Sequence, residues 1–248
     1  MGRRRRSRQL GLGARGSRGG WREGSGRPSK KEGEHRGHRP RPFLAARFPV
    51  HVTLKAVAAA PYLRRGVCFR AVRSALAAGK RKPGFRLVHF AVQGNHLHFI
   101  CEADDRVRLS RGMQGLAILV AKRLNRKLDR KGRLFAERYH ARILRSPRQV
   151  RNTLVYVLNN SRRHDPTISK YWVDPLSSAP WFTGWKHAVR DKSTRREGPP
   201  PIVPAETWLL AAGWRKGGGN IAFGELGREH GAGANAHRPP PTCFSRAT

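Results

Sequence analysis

Between Pro49 and Leu158 the spacing of apolar residues switches repeatedly between two and about 3.6, and this alternation restricts the possible folds more than any other feature. Pro49 to Lys55 (PVHVTLK) sets Val50, Val52 and Leu54 against His51, Thr53 and Lys55, the pattern of a half-buried strand. Leu63, Val67, Cys68, Ala71, Val72, Ala75 and Leu76 recur at helical spacing up to Gly79. FRLVHFAVQ (85–93) and HLHFICE (96–102) read as two strands joined at Gly94-Asn95, a type I′ hairpin signal in reversed residue order. After Asp104 and Asp105, either able to cap, Leu109, Met113, Leu116, Val120 and Leu124 mark a long helix. YHARILR (139–145) is a further strand; then Ser146 caps a last helix with Pro147 at its first position and Pro166 closing it. The fold class is α+β: a ferredoxin-like βαββαβ core with an additional C-terminal helix.

Charge then divides the chain. Against 15 Asp and Glu stand 52 Lys and Arg, a formal charge of +37, which excludes an acidic solubilising segment. It makes a polyanion the expected partner, because neutralising phosphates releases condensed counterions. The excess is +12 over residues 1–47, +21 over 48–164 and +4 over 165–248, so the middle of the chain is the basic domain. Residues 1–47 form an Arg/Gly-rich arm expected to be disordered, either grasping nucleic acid or without a role. The folded domain is placed at 48–190, followed over 191–248 by a Pro-marked linker, a small appendage and a tail. Cys68, Cys101 and Cys243 are odd in number, far apart and without CxxC spacing, so neither a disulfide framework nor a zinc finger is expected. A reducing cytoplasm, with association to the nucleoid, fits best. No apolar run approaches the roughly 18 residues of a membrane span, so a soluble protein with no membrane partner is expected.

Two groups of residues suggest chemistry. His96 and His98 flank Leu97 in a strand, so both imidazoles point to one face and can chelate one divalent cation. Spacing alone does not separate such a pair from two histidines on a solvated strand face. On the last helix Tyr156 and Asn160, four residues apart, fall within about 40° of each other, joined by Asn152 and Arg163, with Val150, Leu154, Val157 and Leu158 as the buried stripe. A phenol beside a cation can attack phosphorus; Tyr156 alone could equally be a boundary aromatic. Tyr139 is the rival nucleophile, for which a packing role is expected, and His89 and His140 read as strand-filling histidines.

The run HFAVQGNHLHFI (89–100), a basic helix, LFAERYHARIL (134–144) and LVYVLNNSRRH (154–164) together resemble the HUH single-tyrosine transposases. Within them the chain is most similar to the branch associated with repetitive extragenic palindromes, over roughly 49–185 and including DPLSSAPWFTGW (174–185). The resemblance implies that His96 and His98 are metal ligands, that Tyr156 is the nucleophile, and that Asn160 supplies a third ligand to Mg²⁺ or Mn²⁺. It implies cleavage and rejoining of single-stranded or hairpin DNA through a 5′-phosphotyrosine with a free 3′-hydroxyl. The segment after the helix reads SRRHDP where the family has a Pro-containing turn. Arg111, Lys122, Arg123, Arg126 and Lys127 of the long helix, with Arg142, Arg145, Arg148, Arg151, Arg162 and Arg163, are the expected phosphate track. Trp172, Trp181 and Trp185 are either stacking surfaces for bases or a clasp that packs the tail onto the domain. The alternative reading is a non-catalytic DNA or RNA binder on the same frame; monomer and homodimer both remain open.

Overall fold

The computed structural model describes residues 42–164, 167, 169, 171–189 and 199–226, without the side chains of Arg163 and His164. The chain divides into two units, Met1–Pro40 and Arg41–Thr248. The first lies wholly outside the described residues, as does most of the basic arm.

In the second unit, β1 (Val50–Lys55), α1 (Gly66–Gly79), β2 (Arg81–Lys82), β3 (Phe85–Val92), β4 (His96–Ala103), α2 (Arg106–Lys127), β5 (His140–Ile143) and α3 (Pro147–Leu158) follow in order. The sheet runs β2-β3-β4-β1-β5 with every pairing antiparallel. Apart from the two-residue β2, this is the ferredoxin-like order expected from the periodicities. β2 has too few residues for any periodicity. It exists because Pro83-Gly84, with Gly84 at φ 69°, turns the chain back so that Arg81 and Lys82 pair with Arg86 and Phe85.

The caps follow the sequence. Asp105 rather than Asp104 closes the start of α2, its carboxylate accepting from the backbone N–H of Val107 and Arg108. Ser146 Oγ accepts from Gln149 N, with Pro147 at the first turn of α3. The Gly94-Asn95 turn differs from the type I′ expectation, since neither residue has the positive φ that such a turn requires. Its carbonyls are taken by neighbouring chain: Leu63 N donates to Gly94 O and Ala56 N to Asn95 O, both at 2.8 Å. The Tyr62 ring lies close over Gly94, where a Cβ would come within 2.5 Å of it and the exposed tyrosine would have to shift.

The sheet has a core on each face. Leu97, Phe99 and Cys101 of β4 pack with Val52 and Leu54 of β1 against α1 and α2. On the other face Ala91 and Ile100 meet Leu154, Val157 and Leu158 of α3. Residues 199–226, expected as an appendage, complete this second core through Leu209, Leu210, Trp214, Ile221 and Phe223. They carry α5 (Trp208–Ala211) and a 3₁₀ turn at Gly213–Gly217. Buried Glu102 on β4 holds that segment down, accepting from Glu206 N, Thr207 N and Thr207 Oγ1 while paired with Arg86 at 3.0 Å. Cys68 and Cys101 are buried free thiols, and burial pushes the Cys101 thiol up, out of reach of thiolate chemistry at neutral pH.

Candidate active site on the α3 face of the sheet

Alternation along β4 sends Leu97 and Phe99 into the first core and His96 and His98 to the opposite face, where α3 lies. The two rings meet edge to face with centroids 4.7 Å apart. Tyr156, half-buried on α3, comes down onto this pair: its ring centroid is 5.1 Å from that of His98, and Oη stands 3.5 Å from His98 Nε2, the outer limit of a hydrogen bond. The structure thus brings the histidine pair and the tyrosine to one place, the juxtaposition that the family resemblance implied and that neither period alone predicts.

The antiparallel register brings further side chains that sequence patterns did not single out. Thr53 and Lys55 of β1 lie directly across from His98 and His96. Thr53 Oγ1 is 3.2 Å from His98 Nδ1, which fixes the ring and leaves Nε2 toward Tyr156. His96 Nδ1 is 2.6 Å from Asn95 Oδ1. His51 stacks on His98 at 5.4 Å and meets the Tyr156 ring edge-on at 5.8 Å. Burial, assisted by the Arg142 guanidinium, lowers its pKa to about 4, so this imidazole is neutral at pH 7. The signal was present in PVHVTLK, whose polar members share one face; what was missing was the strand beside which that face would lie.

Asn160 is placed differently from expectation. α3 ends at Leu158 with Asn159 at φ −108°, ψ 13° as its cap, and Asn160 begins a new short helix, α4 (Asn160–His164). Tyr156 and Asn160 therefore do not share one continuous helix face. The break falls where the Asn159 amide donates to Ala222 O and Glu225 O of the C-terminal segment, at 3.2 and 2.8 Å. Asn160 is itself buried, and its Nδ2 finds no hydrogen-bond partner.

A divalent cation fits this donor set in part. Two imidazoles on one strand face are suitable ligands, whereas the unpartnered atom of buried Asn160 is the N–H donor Nδ2, so that this amide could serve a cation only through Oδ1. Among the described residues, however, no three His, Cys, Asp or Glu side chains form a group able to hold a metal, so any remaining positions would need amide, water or substrate oxygens.

The basic residues fall into three groups. Arg142, across from His51 on β5, lies on the site face, and the exposed Arg145 and Arg148 sit where the chain enters α3. Arg111, Lys122, Arg126 and Lys127 are exposed on α2, and Arg123 of that helix donates to Ser74 Oγ, but α2 packs on the opposite face of the sheet. They form no common track with Tyr156. Arg151 and Arg162 are buried: Arg151 is held by Glu225 (2.9 Å) and Gly219 O (3.0 Å), and Arg162 donates to Trp172 O. The phosphate role expected of these two is corrected, since the chain turns them toward the C-terminal segment and the stretch after α4, where their hydrogen bonds are used. The Arg163 side chain lies outside the described residues.

Tyr139 packs against the first core, on the far side of the sheet from the histidines, in keeping with a packing role. His89 is buried, its Nδ1 3.1 Å from Ser178 Oγ, and burial lowers its pKa to about 4. His140 is exposed, 3.8 Å from Glu137, and fills no core position. Trp185 is part of an aromatic clasp with Phe182 and Phe223 in the second core, while Trp181 packs toward the first. For Trp185 the packing alternative holds.

An all-antiparallel ferredoxin-like sheet with a histidine pair under a helix-borne tyrosine is a scaffold on which phosphodiester chemistry can be built. Residues 49–160 match the family described as "Transposase IS200 like". No curated protein matches the chain. Among solved structures, one described as "Structure of the REP associates tyrosine transposase bound to a REP hairpin" is similar over 64% of this chain and 97% of its own, at 16% identity and a TM-score of 0.47. Among the described residues no helix is long and apolar enough to cross a membrane.

Proposed function

We propose that the protein cleaves and rejoins single-stranded DNA, of the hairpin or palindromic kind, with Tyr156 as nucleophile and His96, His98 and Asn160 as ligands of Mg²⁺ or Mn²⁺. The observation that carries this reading is the approach of Tyr156 Oη to His98 Nε2 at 3.5 Å, within the segment that matches the IS200-like transposase family. The phenolic oxygen would attack the scissile phosphorus as its proton leaves. The bond from phosphorus to the 3′ oxygen breaks, and that oxygen departs protonated as a free hydroxyl. The reverse attack by a 3′-hydroxyl restores a phosphodiester and frees the tyrosine. When bound, the cation supplies polarisation of the phosphate and charge neutralisation. Thr53 holds the His98 ring, His96 is oriented by Asn95, and Arg142, Arg145 and Arg148 give the DNA backbone a cationic path on the site face.

Incubating the protein with a labelled single-stranded hairpin and Mn²⁺, followed by a denaturing gel, tests the reading: a covalent protein–DNA species is expected. Its absence would leave a DNA or RNA binder on the same frame. His98→Ala is expected to weaken Mn²⁺ binding about tenfold or more by calorimetry while leaving DNA affinity within about twofold, since phosphate contacts elsewhere carry it. Unchanged metal affinity would make the histidine pair an ordinary strand face. Arg145→Ala and Arg148→Ala should each reduce the slope of log affinity against log salt by about 0.7. Arg151→Ala should leave that slope in place and lower the melting temperature instead, because Glu225 already engages this charge.

A further inference from the structure

We infer that Lys55 is a DNA-contacting residue of the site, its ammonium taking a backbone phosphate at the His96 end, so that a DNA strand crosses the site along β1 between Lys55 and Arg142. The inference rests on the reading of Tyr156 and the histidine pair proposed above and deepens it.

Three observations carry it. The first is the face. His51 stacks on His98, and Thr53 Oγ1 is 3.2 Å from His98 Nδ1, so these alternate residues of β1 lie on the site face. The period of two puts Lys55 there with them, directly across from His96. Its backbone is fixed on both sides: β4 pairs with it on one, and its carbonyl accepts from Ala136 N at 2.9 Å on the other. The root of the side chain is held while the residue stays exposed.

The second is charge. Among the described residues the Lys55 ammonium has neither an ion pair nor a hydrogen bond, and the carboxylates that pair with cations engage Arg64, Arg81, Arg86, His140 and Arg151 instead. An ammonium beside two imidazoles that hold a cation opposes that cation. The opposition is relieved when an anion lies between the two charges, and a phosphate of the bound strand is the anion that the reaction brings.

The third is spacing. Arg142 pairs with His51, four residues back along β1 from Lys55. Four residues of strand span about 13 Å, several times the rise of about 3.4 Å per nucleotide along one strand of a duplex. Lys55 and Arg142 therefore meet different phosphates. His98, across from Thr53, stands between them with Tyr156 Oη at its Nε2. A strand held on both sides of the attacked phosphate has its direction set relative to the phenolic oxygen.

The test uses the full chain and a labelled single-stranded hairpin. Lys55→Gln removes the charge, and Lys55→Arg returns it. For Lys55→Gln we expect an unchanged melting temperature, a slope of log affinity against log salt reduced by about 0.7, and single-turnover adduct formation at saturating DNA slowed about tenfold or more. Its Mn²⁺ affinity without DNA should equal or exceed that of wild type, since a repelling charge has gone. Lys55→Arg is expected to keep the slope and to form adduct within about threefold of the wild-type rate. A purely structural role would move the melting temperature and leave the slope in place. An unchanged slope in Lys55→Gln would overturn the inference. So would a reduced slope with wild-type adduct formation at saturating DNA, which would make Lys55 a surface charge away from the site, and so would weakened Mn²⁺ binding, which would mean that the side chain acts through His96. Wild-type protein that forms no adduct refutes the reading of Tyr156, and the salt slope then decides by itself whether Lys55 contacts DNA.

Discussion

Tyr156→Phe is expected to reduce formation of the covalent protein–DNA species by at least about 10³-fold, the scale of loss when an enzyme is deprived of its nucleophile. Only one oxygen is removed, and its contact with His98 Nε2 at 3.5 Å is long, so the fold should change by no more than about 1 kcal/mol. DNA affinity should stay within about twofold, because the phosphate contacts lie elsewhere. Tyr139→Phe is the matched control: that ring packs on the α1–α2 face of the sheet, and its variant should form adduct at the wild-type rate. An adduct that survives Tyr156→Phe and disappears with Tyr139→Phe would reassign the nucleophile; one that survives both would exclude a single-tyrosine mechanism.

The second large effect is on stability. Trp214 is almost wholly buried in the core between α3 and the sheet, against Phe182, although it stands 58 residues beyond Tyr156 in the chain. Trp214→Ala should cost about 3–5 kcal/mol, the range for truncating a large buried aromatic, and lower the melting temperature by about 10 °C. Trp208, more than half exposed on the neighbouring α5, provides the comparison: Trp208→Ala should cost about 1 kcal/mol or less. Equal melting temperatures for the two variants would mean that residues 199–226 are an appendage rather than part of the core. The consequence reaches the site, because the same segment takes the Asn159 amide and stands where α3 gives way to α4, immediately after the tyrosine.

The same segment also separates Arg145 and Arg148 from Arg151. All three belong to one stretch of sequence, and charge alone assigns them one role. The helix turns Arg151 inward to Glu225, a residue 74 positions away, and leaves Arg148 in solvent. An ion pair between such distant residues has no local signature.

By itself the sequence determined the elements and the faces of each. The period of two in PVHVTLK and HLHFICE decided which side chains share a face; the 3.6 period of α3 decided that Tyr156 lies beside the buried stripe; Ser146 and Pro147 decided where α3 begins, and the Asp104-Asp105 pair decided the start of α2 to within one residue. These are properties of neighbours in the chain, set by backbone geometry and local hydrogen bonds. Tertiary structure alone decided the rest. It placed β1 beside β4 so that His51, Thr53 and Lys55 joined the histidine pair, set α2 and its basic residues on the far face, ended α3 before Asn160, and drew residues 199–226 into the second core. Each of these outcomes depends on which strand pairs with which and on apolar surface buried between segments far apart in sequence, and neither is encoded in the spacing of any one segment.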